Sequence, residues 1–287
     1  MRTLALILAA AAASTLNWTQ PANASPAAQE QKLSHISIRS VGTGSPVVLI
    51  PGLASPPAVY DALAAKIGGN HRLIFVHVNG FAGSAAGPAD NLIPGIVDEL
   101  AGWLAANHVE KPAVIGHSMG GLMAMMLATK HPDAAGRVMV VDALPFYGML
   151  FGPQATPEVI RPMVEKMRAG MVSGTAPMEA PPGMTNNDAG KAKVTAWLKA
   201  SDPKIVGEAL VEDATTDIRP DLPAINQPLT VLYAVPSAHR APLTKALYAG
   251  AYKDAPNARL SGIENSEHFI MLDQPAAFAD AVEAFLR

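Results

Sequence analysis

A serine between two glycines is the residue of this sequence best suited to nucleophilic chemistry. Residues 116–121 read GHSMGG, after an apolar run at 112–115 and before a run of good helix formers at 122–130. A strand, a G-x-S-x-G turn and a helix together hold a serine hydroxyl in an exposed position. The two glycines leave room where a Cβ would crowd the turn. The pattern therefore predicts Ser118 as a nucleophile, beside helix N–H groups suited to an oxyanion.

The elements around this serine alternate between apolar strands and helices. Strands are predicted at 35–39, 47–50, 73–78, 112–115, 137–142, 229–235 and 258–263, and helices at 57–67, 93–108, 122–130, 241–253 and 275–286. This order predicts an α/β fold with a mostly parallel sheet flanked by helices. Ligands bind at the carboxyl ends of the strands in such folds. Four notable sites fall at those ends: Gly52-Leu53, Ser118, Asp142 and His268.

Residues 143–225 interrupt the alternation and form a predicted helical insertion. They contain no convincing strand, but helical patches at 157–170, 188–200 and 203–214, and six of the 13 methionines. Methionine is flexible and polarizable, so a Met-rich cap over the site would adapt to apolar ligands. The alternative is that these methionines only pack the insertion onto the body. We therefore predict one core, residues 25–142 and 226–287, with residues 143–225 as a helical cap.

The N-terminus has the pattern of a secretory signal. Arg2 precedes an apolar run at 4–13 that is too short for a permanent membrane anchor, and residues 22–24 read ANA. Residues 1–24 are therefore predicted to be a signal peptide, which places the mature protein in the periplasm or outside the cell. Residues 25–33 are predicted to be disordered. No other stretch is long and apolar enough to span a membrane, so no stable membrane insertion is expected.

Composition excludes several other functions. The formal net charge is −3 and no basic stripe is visible, which argues against nucleic acid as a partner. The absence of cysteine excludes thiol catalysis and thiolate metal sites. The eight histidines are scattered without a metal-binding spacing, and no Gly-rich phosphate loop is present. We therefore expect no metal and no cofactor. The sequence does not predict the oligomeric state.

Three motifs together resemble the α/β-hydrolase superfamily, specifically its capped, exported bacterial branch. They are PGL at 51–53, GHSMGG at 116–121 and EHFIMLDQP at 267–275, and the resemblance runs from about residue 35 to the C-terminus. It implies the α/β-hydrolase fold, with a mostly parallel central sheet flanked by helices and a helical cap inserted after the sixth strand. The closing segment resembles the catalytic-histidine loop of the family. Asp273 is predicted to cap the last helix.

The resemblance implies a role for several residues. Ser118 would be the nucleophile and His268 the general base, since imidazole can take the hydroxyl proton and return it to the leaving group. The oxyanion hole would use the backbone N–H groups of Met119 and Leu53. Many members have His-Gly where this chain has Pro-Gly at 51–52, which leaves Ala54 open as an alternative to Leu53. Three further residues are predicted to contact substrate: His117, Phe146 and Met149.

The acid of the triad departs from the usual family pattern. Many members carry it after the strand predicted at 229–235, but the residues that follow here read PSAHR, without a carboxylate. Some members carry the acid one strand earlier, where Asp142 stands, and we therefore predict Asp142. The alternatives are carboxylates from the end of the insertion: Asp213, Asp217 and Asp221. Ser237 or a backbone carbonyl would also orient the histidine, in a slower enzyme.

The predicted function is a cofactor-free serine hydrolase that cleaves carboxylic esters of a small or medium hydrophobic substrate through an acyl-enzyme. Lactonase, thioesterase, amidase and cofactor-free perhydrolase activities would use the same residues. A non-catalytic binder of apolar ligands is the alternative from another class, supported by the missing acid after 229–235. A fluorophosphonate probe separates the two, because it labels only an activated serine.

The signal peptide gives a first testable prediction. Cleavage after Ala24 should leave Ser25 as the mature N-terminus, because residues 22–24 have the small-x-small pattern of a cleavage site. Mass spectrometry of exported protein checks this. Exported protein that still begins at Met1 or Arg2 would contradict it.

Overall fold

The computed structural model describes residues 30–152 and 154–287 and contains an eight-stranded sheet. The predicted signal peptide lies outside these residues. The strands are β1 Glu30–Lys32, β2 Ile36–Val41, β3 Ser45–Ile50, β4 His71–Val78, β5 Ala113–His117, β6 Arg137–Val141, β7 Leu229–Val235 and β8 Ala258–Glu264. Their order in the sheet is β1-β2-β4-β3-β5-β6-β7-β8. β2 pairs antiparallel with β1 and β4, and the remaining pairs are parallel.

Helices cover both faces of this sheet, as the sequence predicted. They are α1 Asp61–Ile67, α2 Leu92–Ala106, α3 Met119–Lys130, α4 Pro157–Ser173, α5 Asp188–Ala200, α6 Pro203–Thr215, α7 Ala241–Ala251, α8 Ile270–Asp273 and α9 Pro275–Leu286. Side chains alternate between the faces of a strand, so β3 contributes to two cores. Val47 and Leu49 pack in the core that α1 and α9 cover. Val48 and Ile50 pack in the core that α2 and α3 cover.

The helical insertion lies between β6 and β7, after the sixth strand as predicted, and it has a small core of its own. α4 and α6 pack together, and buried apolar residues join them: Phe146, Ile160, Val164, Val211 and Ala214. α6 also contacts the body. The Glu212 carboxylate accepts hydrogen bonds from the N–H groups of Leu92 (2.9 Å) and Ile93 (2.6 Å) at the start of α2. This contact satisfies N–H groups that lack partners within a helix.

Residues 30–32 correct the prediction of a disordered start. They form β1, which pairs antiparallel with β2 and places Gln31 opposite Ile38. The Trp103 indole of α2 donates a 2.7 Å hydrogen bond to the Gln31 side chain. The segment is polar and short, so its pairing with β2 was not visible as a hydrophobic pattern. Among the described residues, no helix is long and apolar enough to cross a membrane.

Gly120 gives a second prediction, since α3 begins directly against the end of β3. A Cβ on Gly120 would overlap the carbonyl oxygen of Ile50 and lie 2.7 Å from that of Pro51. Because both contacts are with backbone, Gly120→Ala should lower the free energy of unfolding by about 1–3 kcal/mol or more. Urea denaturation measures the change.

Gly102 supplies the matched control. It is exposed within α2, and a Cβ there would meet nothing within 4 Å. Gly102→Ala should raise the free energy of unfolding by about 0.5–1 kcal/mol, because alanine is the better helix former. Equal effects of the two substitutions would contradict the proposed crowding at Gly120.

Candidate active site

Ser118 occupies a sharp turn between β5 and α3. Its φ of 55° and ψ of −125° lie in a region that non-glycine residues rarely adopt. The turn is held from both sides, because the Ser118 N–H donates to the Val141 carbonyl (2.9 Å) and the Ser118 carbonyl accepts from the Gly121 N–H (2.7 Å). A Cβ on Gly116 would overlap the backbone of Gly120. The geometry is that of the predicted elbow, with Ser118 partly exposed at the carboxyl end of β5.

Asp142 and His268 are brought together at the same end of the sheet. Asp142 directly follows β6, and His268 lies between β8 and α8. The Asp142 Oδ2 atom is 2.7 Å from His268 Nδ1, which is a hydrogen-bond distance. The orientation leaves Nε2 as the nitrogen able to exchange a proton with another group. Ser118 Oγ makes no hydrogen bond with His268 or any other described residue; in serine enzymes this bond is often long until substrate binds.

The carboxylate of Asp142 has two further hydrogen-bond donors. Its Oδ1 atom accepts from the Ala234 N–H (2.8 Å) and from the Tyr248 hydroxyl (2.9 Å). Burial raises the pKa of Asp142, but hydrogen bonding and charge attraction from His268, with the other two donors, outweigh it and hold the pKa below its usual value. Asp142 is therefore ionised near neutral pH and stabilises a protonated His268.

His117 is fully buried, which corrects the prediction that it contacts substrate. Its Nε2–H donates a 3.0 Å hydrogen bond to the His268 carbonyl, and its ring lies 4.7 Å from the Phe269 ring. Burial lowers the pKa of His117 to about 3, with a smaller effect of His268 in the same direction, so His117 is neutral. The structure therefore places His117 as a support for the backbone of the histidine loop.

The loop after β3 lies against the elbow. A Cβ on Gly52 would be 3.0 Å from both the Ser118 Cβ and the His117 Nδ1 atom. Ala54, the alternative to Leu53, is buried and has a φ of 56°. Within the described part of the chain, the N–H groups of Leu53 and Met119 donate to no other residue. Their role in an oxyanion hole stays a prediction, which requires N–H groups that are free of other acceptors.

Phe146 and Met149 have different positions. Phe146 is fully buried in the core of the insertion, and the Arg219 guanidinium lies 4.7 Å from its ring centre. The prediction that Phe146 contacts substrate is therefore wrong, because its ring is enclosed by the other side chains of the insertion core. Met149 is partly buried at the border of this core and the main core, and its predicted contact with substrate stays a prediction.

None of the alternative acids forms a hydrogen bond with His268. Asp217 accepts two hydrogen bonds from the Arg219 guanidinium, at 2.8 and 2.5 Å, and Asp221 is exposed. Asp213 forms no hydrogen bond with a described residue. Over residues 30–152 and 154–287, no three metal-binding side chains are grouped as a metal site.

Asp273 has a role that the sequence did not reveal. Instead of capping α9, its carboxylate accepts hydrogen bonds from the Glu267 N–H (2.8 Å) in the histidine loop and from the side chains of Thr185 (2.5 Å) and Asn187 (2.9 Å) in the insertion. The His268 N–H also donates to the insertion, at Gly183 O (3.1 Å). The histidine loop is therefore fixed partly by the insertion. Tyr248 was missed as well, because its position on α7 carries no motif.

Comparison with known proteins gives one family and related enzymes. A model of the alpha/beta hydrolase family matches residues 47–281. A pimeloyl-(acyl-carrier protein) methyl ester esterase of Aeromonas hydrophila is 24% identical over 265 residues, covering 88% of this chain and 99% of the esterase. Polyketide synthase ThaQ of Burkholderia thailandensis is 29% identical over 266 residues, covering 85% of this chain, which spans only 12% of that protein.

A solved structure has the same fold. A thermophilic esterase from Thermogutta terrifontis superposes with a TM-score of 0.71 at 22% identity, over 91% of this chain and 98% of the esterase. This similarity supports the arrangement of the sheet and helices described above.

Tyr248 gives a third prediction. Tyr248→Phe removes one donor to Asp142, so the pKa of Asp142 should rise towards its usual value. The pKa of Asp142 is lower in the folded than in the unfolded protein. The ionised carboxylate therefore stabilises the fold fully at a pH above its unfolded-state pKa, and this stabilisation is lost as the pH falls through the folded-state pKa. The variant should therefore lose about 1.5–3 kcal/mol of unfolding free energy at neutral pH and less in acid. Urea denaturation from about pH 7 to about pH 3 measures this.

Tyr252 is the matched control on the same aromatic stack. Its hydroxyl donates to the neutral Ala143 carbonyl at 2.7 Å. Tyr252→Phe should cost about 1 kcal/mol with little pH dependence. If the loss in Tyr248→Phe is equally independent of pH, the electrostatic role of Tyr248 is wrong.

Proposed function

Because the chain belongs to the alpha/beta hydrolase family, we propose that it is a serine hydrolase that cleaves carboxylic esters of small or medium hydrophobic substrates. The observation that carries the proposal is the 2.7 Å hydrogen bond between Asp142 and His268, beside a strained serine turn. An oriented imidazole and a partly exposed serine at the same end of the sheet are the groups that nucleophilic attack by a hydroxyl requires. One relative that covers 88% of this chain is a methyl ester esterase, which favours the same reaction.

The first half of the reaction forms an acyl-enzyme. Ser118 Oγ attacks the ester carbonyl carbon while His268 Nε2 accepts the hydroxyl proton. The N–H groups of Leu53 and Met119 stabilise the oxyanion of the tetrahedral intermediate. When that intermediate collapses, His268 gives its proton to the leaving alkoxide and the alcohol departs.

The second half releases the acid. Water attacks the acyl-enzyme carbonyl, with His268 again accepting the proton, and collapse returns the proton to Ser118 Oγ as the carboxylic acid leaves. Asp142 stays ionised throughout, because three hydrogen bonds stabilise its charge. It holds the ring of His268 and stabilises each transient imidazolium.

The helical insertion is proposed to act as a cap that covers the site. The hydrogen bonds between the insertion and the histidine loop, and the contact of Glu212 with α2, support this proposal. Six of the 13 methionines lie in the insertion, and such a composition favours hydrophobic substrates. With its N-terminal signal pattern, the enzyme is proposed to act in the periplasm or outside the cell.

The test of this function is the fourth prediction. Wild-type protein should hydrolyse p-nitrophenyl esters, with a preference for an apolar chain length, and a fluorophosphonate probe should label Ser118. Ser118→Ala should abolish both activities, and Asp142→Asn should lower kcat by up to about 10⁴-fold, because the neutral amide cannot hold the required tautomer. Steady-state kinetics and mass spectrometry of the labelled protein measure these effects.

Ser261→Ala is the matched control. Ser261 is exposed on β8 and takes no part in the proposed reaction, so labelling and turnover should be unchanged. Substantial turnover in correctly folded Ser118→Ala would overturn the nucleophile. Absence of labelling and of ester hydrolysis in wild-type protein would instead favour a non-catalytic binder.

A further inference from the structure

The backbone around His268 is held by parts of the fold that are distant in the sequence. His268 lies in irregular backbone between β8 and α8. Its N–H donates to the Gly183 carbonyl (3.1 Å), and the N–H of Phe269 donates to the Met184 carbonyl (2.8 Å). The His268 carbonyl accepts a hydrogen bond from His117 Nε2 at 3.0 Å. Because backbone polar groups in irregular segments need partners from elsewhere, these three bonds fix the position of the His268 backbone.

Two of these three bonds come from one segment of the insertion, residues 183–187, which we call the strap. The strap lies between α4 and α5. The side chain of Asn186 donates to the Asn265 carbonyl (2.7 Å), where the chain leaves β8. The side chain of Asn187 accepts from the Gly190 N–H (2.7 Å) and so caps the start of α5. The strap therefore connects the histidine loop to a helix of the insertion.

Asp273 joins the strap to the histidine loop. Its carboxylate accepts one hydrogen bond from the loop, donated by the Glu267 N–H (2.8 Å). It accepts three from the strap, donated by the Thr185 hydroxyl (2.5 Å), the Asn186 N–H (3.2 Å) and the Asn187 side chain (2.9 Å). Hydrogen bonds to a charged acceptor are about twice as strong as those between neutral groups. A single carboxylate therefore gathers most of the polar contacts between the two segments.

Thr185 is enclosed at the point where the strap meets the loop. Its exposed fraction is 3%, and a Cβ on Gly190 would overlap its hydroxyl oxygen. A hydroxyl buried in this way needs a partner, and Asp273 supplies it. Neither Thr185 nor Asp273 bonds to the side chain of His268, whose Nδ1 atom is bonded to Asp142. Any effect of this pair on His268 therefore passes through the backbone of the loop.

We propose that Thr185 and Asp273 are positioning residues for the catalytic base. Their hydrogen bond keeps the strap on the histidine loop, the strap holds the N–H groups of His268 and Phe269, and the imidazole stays in line with Asp142. The insertion thereby contributes to the rate of the chemical steps as well as to substrate binding. This proposal rests on the proposed ester hydrolysis for its kinetic form. A displacement of about 1 Å caused far from the reacting atoms can lower a rate about 100-fold, so one distant hydrogen bond is sufficient.

A strap that only shaped the space for substrate would have different kinetic effects. Its disturbance would then change KM, and it would affect large esters more than small ones. Loss of base positioning instead lowers kcat by a similar factor for p-nitrophenyl acetate and p-nitrophenyl octanoate, because His268 accepts the same proton in both reactions. The labelling of Ser118 by a fluorophosphonate probe slows as well, since the same base activates the serine.

The fifth prediction uses a matched pair of substitutions at Thr185. Thr185→Val removes the hydroxyl and keeps the branched shape, whereas Thr185→Ser keeps the hydroxyl. Thr185→Val should lower kcat by about tenfold to about 100-fold for both esters with little change in KM, and Thr185→Ser should retain most of the wild-type rate. Asp273→Asn should behave like Thr185→Val, because its NH₂ group would face donors where a carboxylate oxygen accepts. Steady-state kinetics measures these effects, and urea denaturation shows that each variant is folded in the assay.

Thr129→Val and Asp280→Asn are the controls for the same chemical changes elsewhere. The Thr129 hydroxyl donates to the Met126 carbonyl of its own helix (3.1 Å), and Asp280 is exposed on α9. Both variants should keep the wild-type kcat. A wild-type kcat in folded Thr185→Val, a loss confined to the larger ester, or an equal loss in Thr185→Ser would overturn the proposal.

Two measurements without substrate keep this test separate from that of the proposed function. Amide hydrogen exchange at His268 and Phe269 should be about tenfold faster or more in Thr185→Val than in wild-type protein, while exchange at the buried Val231 of β7 should be unchanged. The proton between His268 Nδ1 and Asp142, seen by NMR as a downfield resonance, should shift or broaden. If wild-type protein hydrolyses no ester, the proposed function is wrong, and these two measurements alone decide whether Thr185 positions His268. Unchanged exchange and an unchanged resonance would overturn the positioning role while leaving hydrolysis intact.

Discussion

The charge of Asp142 is the constraint on which the site depends. A buried carboxylate is costly unless hydrogen bonds replace its water, and here the donors come from β7, α7 and the histidine loop. One side chain after β6 therefore fixes the position of three other parts of the fold. These donors depend on the position of Asp142 at the end of β6. Because β6 pairs with β7, Asp142 lies close to Ala234 of β7 and to Tyr248 of α7. An acid after β7 would need a different set.

A second carboxylate, that of Asp273, fixes the other side of the histidine loop. It joins the loop to residues 185–187 of the insertion, so the insertion helps to hold the loop that carries His268. His117 holds the same loop through its hydrogen bond to the His268 carbonyl. The position of the insertion and the orientation of His268 are therefore linked by hydrogen bonds. A substitution in the loop between α4 and α5 would therefore alter the orientation of His268 without a direct contact with its side chain.

The sequence predicted the parts of this molecule that have strong local signals. The strands and helices were placed by apolar periodicity, the elbow by its glycines, and the contact of Asp142 with His268 by the empty position after β7. Burial was predicted less well. His117 and Phe146 stand next to functional segments in the chain, but tertiary packing directs both side chains into cores. The pairing of β1 and the bonds of Asp273 depend on partners far away in the sequence, which no local pattern encodes.

Two aspartates, Asp142 and Asp213, show how position sets the chemistry of one residue type. Asp142 has three donors, so its carboxylate stays ionised and acts as a fixed negative charge. Asp213 on α6 has no hydrogen-bond donor among the described residues, and burial raises its pKa to about 7. The difference comes from hydrogen bonding and not from residue type.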